Sequence, residues 1–132
     1  MNDLTTAEQT FDTSADTVII VAHFENIPGG KTLDVSRLPN TTKYIVAGHP
    51  VILETATKKA KALGISGTTF EAVPAGHEVI GATRATVPYE KPFASVMVRG
   101  TINEEAFKNA TGLTYTQAVK DAFDPLIRLM TE

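Results

Sequence analysis

The chain has no cysteine and no tryptophan. Without cysteine there is no disulfide, no thiolate nucleophile and no cysteine-based zinc site, and the usage fits a reducing cytoplasm. Without tryptophan, an aromatic platform for sugar rings would have to come from Tyr44, Tyr89 and Phe93. A basic tract is lacking too. The chain carries 12 Lys and Arg against 15 Asp and Glu, a net charge of −3. A general nucleic-acid binder instead gathers several cations in one patch to displace counterions from phosphates. The one local cluster, Lys58-Lys59-Ala60-Lys61, reads as a solvated turn or strand edge. Apolar runs are short: Val18 to Ala22 falls far below the ~20 residues a membrane-spanning helix needs. No basic start followed by an apolar stretch marks a secretion signal.

What is present is a globular composition, 42% hydrophobic and 20% charged over 132 residues. That suffices for one domain with its own apolar core, needing neither disulfide nor metal for stability. Met1 to Asp16 is polar and rich in Thr and Asp, with no period of two or of 3.6, and reads as an N-terminal arm (residues 1–16). Its large apolar side chains besides Met1, Leu4 and Phe11, are the candidate partner contacts: too few to fold the segment alone, enough to fill pockets on a partner.

Residues 17–132 read as a single β-rich domain. Thr17 to Phe24 is β-branched and apolar, which predicts a buried strand. Ile27-Pro28-Gly29-Gly30 is turn chemistry, and Lys31 to Val35 alternates as a half-buried strand does. Lys43–Val46 and Pro50–Glu54 are short strands around Ala47-Gly48. Thr55 to Leu63 has helix-favouring Lys and Ala, yet Gly64 and the flanking strands point to a hairpin. Thr68–Val73 and Glu78–Thr86 read as strands, and Phe93–Ile102 as the last one. The remainder, 103–132, predicts short C-terminal helices. Asn103 can cap Glu104-Glu105, and Gly112 can stop that helix. Thr114 to Gln117 has the spacing of a capping box. Val119, Phe123, Leu126, Ile127 and Met130 then mark one apolar packing face of a helix, which either kinks at Asp124-Pro125 or restarts there. The expected architecture is mainly β: a compact β-clip-like barrel or sandwich with an extended arm and appended helices.

One step occurs twice. Val46-Ala47-Gly48-His49-Pro50-Val51-Ile52 and Pro74-Ala75-Gly76-His77-Glu78-Val79-Ile80 each run from a loop residue through Ala-Gly into an apolar strand. Gly48 and Gly76 are expected at positive φ, with His49 and His77 in matching places facing solvent or a neighbouring turn. Such steps recur in β-clip folds and small barrels.

A catalytic constellation is hard to assemble. His23, His49 and His77 lack zinc-ligand spacing, so no metal site is expected. Ser14, Ser36, Ser66 and Ser95 have no Gly-x-Ser-x-Gly setting. Gly29-Gly30-Lys31-Thr32 ends like a phosphate loop, but Glu25 stands where its first Gly belongs, and a strand rather than a helix follows. Glu104 and Glu105, adjacent on a helix, point apart. Neither an enzyme nor a cofactor is expected.

The motifs Tyr44-Ile45-Val46-Ala47-Gly48-His49-Pro50-Val51, Val73-Pro74-Ala75-Gly76-His77-Glu78-Val79-Ile80-Gly81 and Pro92 to Asn103, within Tyr44 to Phe107, give a layout that resembles the head decoration and head fibre proteins of tailed bacteriophages. Those carry Ala-Gly-Thr-Pro-Val turns and a late Val-x-Gly-Thr-Val strand before a helix with an acidic start. Here His49 and His77 stand where Thr is usual. The resemblance implies an auxiliary capsid protein made in the host cytoplasm. It would sit on the capsid exterior, bound to the major capsid protein, often as a trimer, with its arm on the shell. It implies no membrane and no direct nucleic-acid contact. The alternatives are a surface module that binds a receptor or carbohydrate, and a small enzyme on a β scaffold.

Overall fold

A computed structural model describes residues 16–39 and 42–131. The elements follow in chain order as α1 (Asp16–Ile19), β1 (Ile20–Asn26), β2 (Lys31–Thr32), β3 (Tyr44–Ile45), β4 (Pro50–Glu54) and β5 (Lys59–Ala62). Then come β6 (Ile65–Ser66), β7 (Thr69–Phe70), β8 (His77–Thr83), β9 (Val87–Pro88), β10 (Phe93–Ala94), β11 (Val96–Asn103), α2 (Glu104–Thr111), α3 (Gln117–Phe123) and β12 (Ile127–Met130). The fold is mainly β and sandwich-like, and among the described residues the sheets form no closed barrel.

The main sheet runs β1-β11-β8-β4-β5, with β12 joined to β11. Its pairings are antiparallel except β11–β12, which is parallel. Its centre is buried on both faces, so its strands alternate between two cores rather than between core and water. Ile52 of β4, Met97 of β11 and Ala82 of β8 turn toward Phe70, Phe107, Tyr115, Val119 and Phe123. Their neighbours Val51 and Val96 turn the other way, toward Leu33, Leu38, Ile45, Ala60 and Ala94. Helices α2 and α3, with Ile19 of α1, thus cover the first core, and the short ribbons β2–β10 and β3–β9 help build the second.

The echoed turns acquire a topological meaning. The first leads into β4, the second into β8, and these strands pair antiparallel from Pro50↔Ala82 to Glu54↔His77. The turns therefore lie at opposite ends of one strand pair, and a threonine ending the opposite strand closes each. Gly48 N–H donates to Thr83 O at 2.8 Å, and the Thr83 hydroxyl to Val46 O at 3.1 Å. Thr55 N–H donates to Gly76 O at 2.9 Å, and its hydroxyl donates to the same oxygen at 3.1 Å. Gly48 has φ +94° and Gly76 φ +77°.

Several elements differ from the sequence expectation. Residues 17–24 do not form a buried strand: they begin as the helical turn α1, and β1 starts at Ile20 with most of its side chains exposed. Their β-branched character marks strand-forming residues, but β1 is the sheet's edge. Asp16, expected in the arm, belongs to the domain: its carboxylate accepts from Thr86 N–H at 2.9 Å and from the Thr86 hydroxyl at 2.6 Å. Thr55–Leu63 resolves to the β4–β5 hairpin, with Lys58 at φ +62° in its turn. Asn103 does cap α2, its Oδ1 accepting from Ala106 N–H at 3.1 Å, and Gly112 does end it. The cap of α3, however, is Thr116, not Thr114. Thr114 N–H instead donates to Thr68 O at 3.0 Å.

The largest correction concerns the C-terminus. Val119, Phe123, Leu126, Ile127 and Met130 do not share a helix face. α3 stops at Phe123, because Asp124 precedes a proline and takes an extended conformation (ψ 135°) instead of a helical one. Ile127–Met130 then adds a parallel strand to β11 beyond the point where β8 leaves it. Val119, Phe123 and Ile127 are buried, Met130 is half-buried, and Leu126 is exposed.

Two stability contrasts follow, each read by urea denaturation. A side chain at Gly48 meets Phe107, Tyr115 and Ile19 at 3.0–3.2 Å, whereas one at Gly76 meets nothing within 4 Å. Gly76→Ala should cost about 1 kcal/mol of left-handed backbone strain, and Gly48→Ala roughly 3 kcal/mol because crowding adds to it. Equal costs would contradict the packing difference. Phe123→Ala should cost about 3–5 kcal/mol and Leu126→Ala under about 0.5 kcal/mol. Similar losses at both positions would restore a common helical face.

Candidate functional site

The residues that sequence reasoning singled out divide into structural and surface groups. Leu4 and Phe11 lie outside the described residues. His49 is the clearest structural case, and it does not face solvent as expected. It is 4% exposed, with its ring edge-on to Phe70 at 5.0 Å. Leu63 O can only accept, so His49 Nε2–H donates to it, at 2.8 Å. The His49 N–H donates to Thr83 Oγ1 at 3.1 Å. Burial pushes the imidazole pKa down to about 4, against the opposing effect of the Leu63 bond. The ring is thus a neutral strut between the turn at Gly48 and the segment after β5.

His77 holds the matching turn position in a different environment. It is half-buried, and its Nδ1–H donates to Ala75 O at 2.9 Å. His23 lies on exposed β1, where its Nε2 accepts from Arg84 Nη2 at 2.9 Å. The three histidines each serve a separate local contact. Among the described residues no group of three or more His, Asp or Glu side chains is arranged to hold a metal. Of the aromatics considered for sugar stacking, Tyr44 and Tyr89 are half-buried and Phe93 is exposed. Lys58 and Lys59 are exposed and Lys61 half-buried, paired with Glu54 at 3.2 Å.

Among the described residues, concavities large enough to receive a side chain or a small group include the following two. One, of about 320 Å³, lies between Leu38, Tyr44, Val46, Ile65 and Leu113, with His49 in its wall. The other, of about 420 Å³, is a groove on the outer face of β1 and β12, lined by Phe24, Arg99, Thr101, Pro125, Leu126 and Arg128.

Phe24 is 74% and Leu126 57% exposed, and Val18 and Val21 continue the exposure along α1 and β1. Register explains why these side chains point outward. Ile20 pairs with Ile102 and Ala22 with Thr101, so Val21 is an extra residue opposite no partner. His23 pairs with Gly100 and Glu25 with Arg99, so Phe24 is extra in the same way. Each bulge re-aims a side chain and twists an edge strand away from regular pairing. Sequence reasoning missed this surface. The signal was there in a strand whose apolar residues do not alternate, but that pattern is equally the mark of a fully buried strand.

No family model matches this chain. No curated protein matches it, and no solved structure does either.

The buried imidazole gives a pH signature. Its folded pKa lies below its unfolded value near 6.5, so the unfolded state binds the extra proton between the two. Stability should be full above pH ~6.5 and fall by about 3 kcal/mol on the way down to pH ~4, with no further loss from this residue below that. His49→Gln keeps a donor for Leu63 O and should flatten the curve across this window. Urea midpoints measured at intervals from pH 7 to 4 check it: a wild-type slope retained in the variant would place the titrating group elsewhere.

Proposed function

We propose that this chain is a structural, non-catalytic binding protein that attaches to the outer surface of a tailed-phage head. The observation that carries the binding reading is the pair of exposed apolar side chains, Phe24 and Leu126, that line one groove. Large apolar side chains exposed around one groove add little to the domain's own stability, and such patches characteristically mark contact with another macromolecule. The two bulges favour contact by side chains over simple strand addition, because they interrupt a continuous ladder. The capsid is chosen as the partner on the resemblance of Tyr44 to Phe107 to head decoration proteins. In this reading the major capsid protein receives the β1 face, the arm with Leu4 and Phe11 adds contacts to the shell, and trimers form on the particle surface.

The reading of the histidines and serines supports a non-catalytic role. His49 is a neutral strut, and His23 and His77 are tied to separate local partners. Ser66 ends β6, and its carbonyl accepts from the Thr69 hydroxyl.

Co-sedimentation of the full chain with purified heads tests the proposal. Wild type should pellet with the particles. Phe24→Ser should weaken binding by about tenfold or more, as loss of an interface anchor does. Its melting temperature should stay nearly unchanged, since the side chain is exposed. Heads that fail to retain the wild-type chain, with retention on a glycan surface instead, would favour a carbohydrate-binding module. Undiminished binding by the variant would move the attachment surface away from β1.

A further inference from the structure

The groove beside Phe24 combines an apolar wall with two cations. Arg99 stands on β11 opposite Glu25, and Arg128 on β12 opposite Thr101. The Arg99–Glu25 pair is long, 3.6 Å, between side chains more than half exposed, so solvent screens it and a stronger carboxylate partner can replace it. The Arg128 guanidinium has no ion pair among the described residues. This arrangement sits on a chain whose net charge is −3, so the two arginines form a local exception to the general field. The neighbouring acids are Glu25, already paired, and the exposed Asp124.

We infer that the groove receives an extended acidic segment of the partner protein. A large apolar side chain of that segment would sit against Phe24, Pro125 and Leu126, with flanking carboxylates on Arg99 and Arg128. The inference rests on the reading of the β1 face as an attachment surface and adds the chemistry of what attaches. Arginine suits the role: its planar fork takes a carboxylate with two parallel hydrogen bonds, and its weak hydration tolerates an adjacent apolar wall. Two cations are too few for a nucleic-acid backbone, and a phosphate chain would leave Phe24 and Leu126 unmatched. The bulges at Val21 and Phe24 interrupt the edge ladder, so the segment lies across the face and is held by side chains.

The test uses the full chain and two labelled peptides, one alternating Asp with Leu around a central Phe, the other with Lys in place of each Asp. Fluorescence anisotropy should show the acidic peptide binding at least about tenfold tighter than the basic one. Raising the salt from about 0.05 to about 0.5 M should weaken it several-fold. Arg99→Glu with Arg128→Glu should reverse the preference between the peptides, and Arg128→Lys should retain part of it. Both positions are exposed, so melting curves should confirm that these variants fold. Equal binding of the two peptides, or none by either, would overturn the inference. So would unaltered attachment of the double arginine variant to purified heads. If Phe24→Ser still abolishes attachment to heads while the peptides are not distinguished, the attachment surface stands and only its acidic partner falls.

Discussion

The hydrogen bond from the Tyr115 hydroxyl to Gly48 O, 2.7 Å long and buried, is the contact on which the rest of this structure turns. Tyr115 lies between α2 and α3, and Gly48 lies in the turn that starts β4. The ring of Tyr115 stacks on Phe107 at 4.9 Å and on Phe70 at 5.8 Å, and meets Phe123 edge-on at 5.6 Å. One side chain thereby joins the loop after α2, both helices and the β7 region to the centre of the sheet. Burial raises the phenol pKa well above its ordinary value, so at neutral pH the hydroxyl is a protonated donor. Gly48 is required for this geometry because any Cβ would enter the space between Phe107 and Tyr115. Phe123, the last residue of α3 before Asp124-Pro125 stops the helix, is held in this cluster, and β12 then begins alongside β11.

That chain of constraints positions the surface. β12 occupies β11 only from Gly100 to Asn103, with Pro125 and Leu126 at the approach to it. β1 covers the opposite edge of β11 with two extra residues. The groove between Phe24, Leu126 and Arg128 therefore exists because a rigid helical cap delivers the C-terminal strand to one place and a bulged edge strand leaves two apolar side chains unmatched. The interior has no need of these residues, which is why their exposure is informative. Arg99 and Arg128, held at fixed places in the strand ladder, give the same surface a charge preference.

How far the sequence spoke for itself depends on what kind of force acted at each residue. Local rules were legible: Asn103 and Gly112 bracket α2 because capping and left-handed termination depend on immediate neighbours, and the Ala-Gly echo marked two real turns. The β class was legible from β-branched runs between Gly and Pro. Tertiary choices were not. Ile127 to Met130 continues the 3.6-residue spacing begun at Val119, and only the free hydrogen-bonding edge of β11 turns it into a strand. His49 and His77 share a sequence context, yet one is a buried strut and the other half-exposed, because Phe70 and Leu63 lie over only the first. The site was the least legible part. An apolar edge strand and an apolar central strand have the same composition, and bulges at Val21 and Phe24 depend on the partner strand's register. Leu4 and Phe11, the residues first considered for partner contact, lie beyond the described part of the chain.

The most direct test of the central claim, that the β1 face attaches the protein to a phage head, is a hydrogen–deuterium exchange footprint of the full chain, free and on purified heads. The account predicts that binding slows exchange in two stretches, residues 20–26 and 125–128, while the turn at Gly76 and the β4–β5 hairpin are unchanged. Protection confined to the Gly76 turn or the hairpin, with residues 20–26 exchanging as in the free chain, would contradict it.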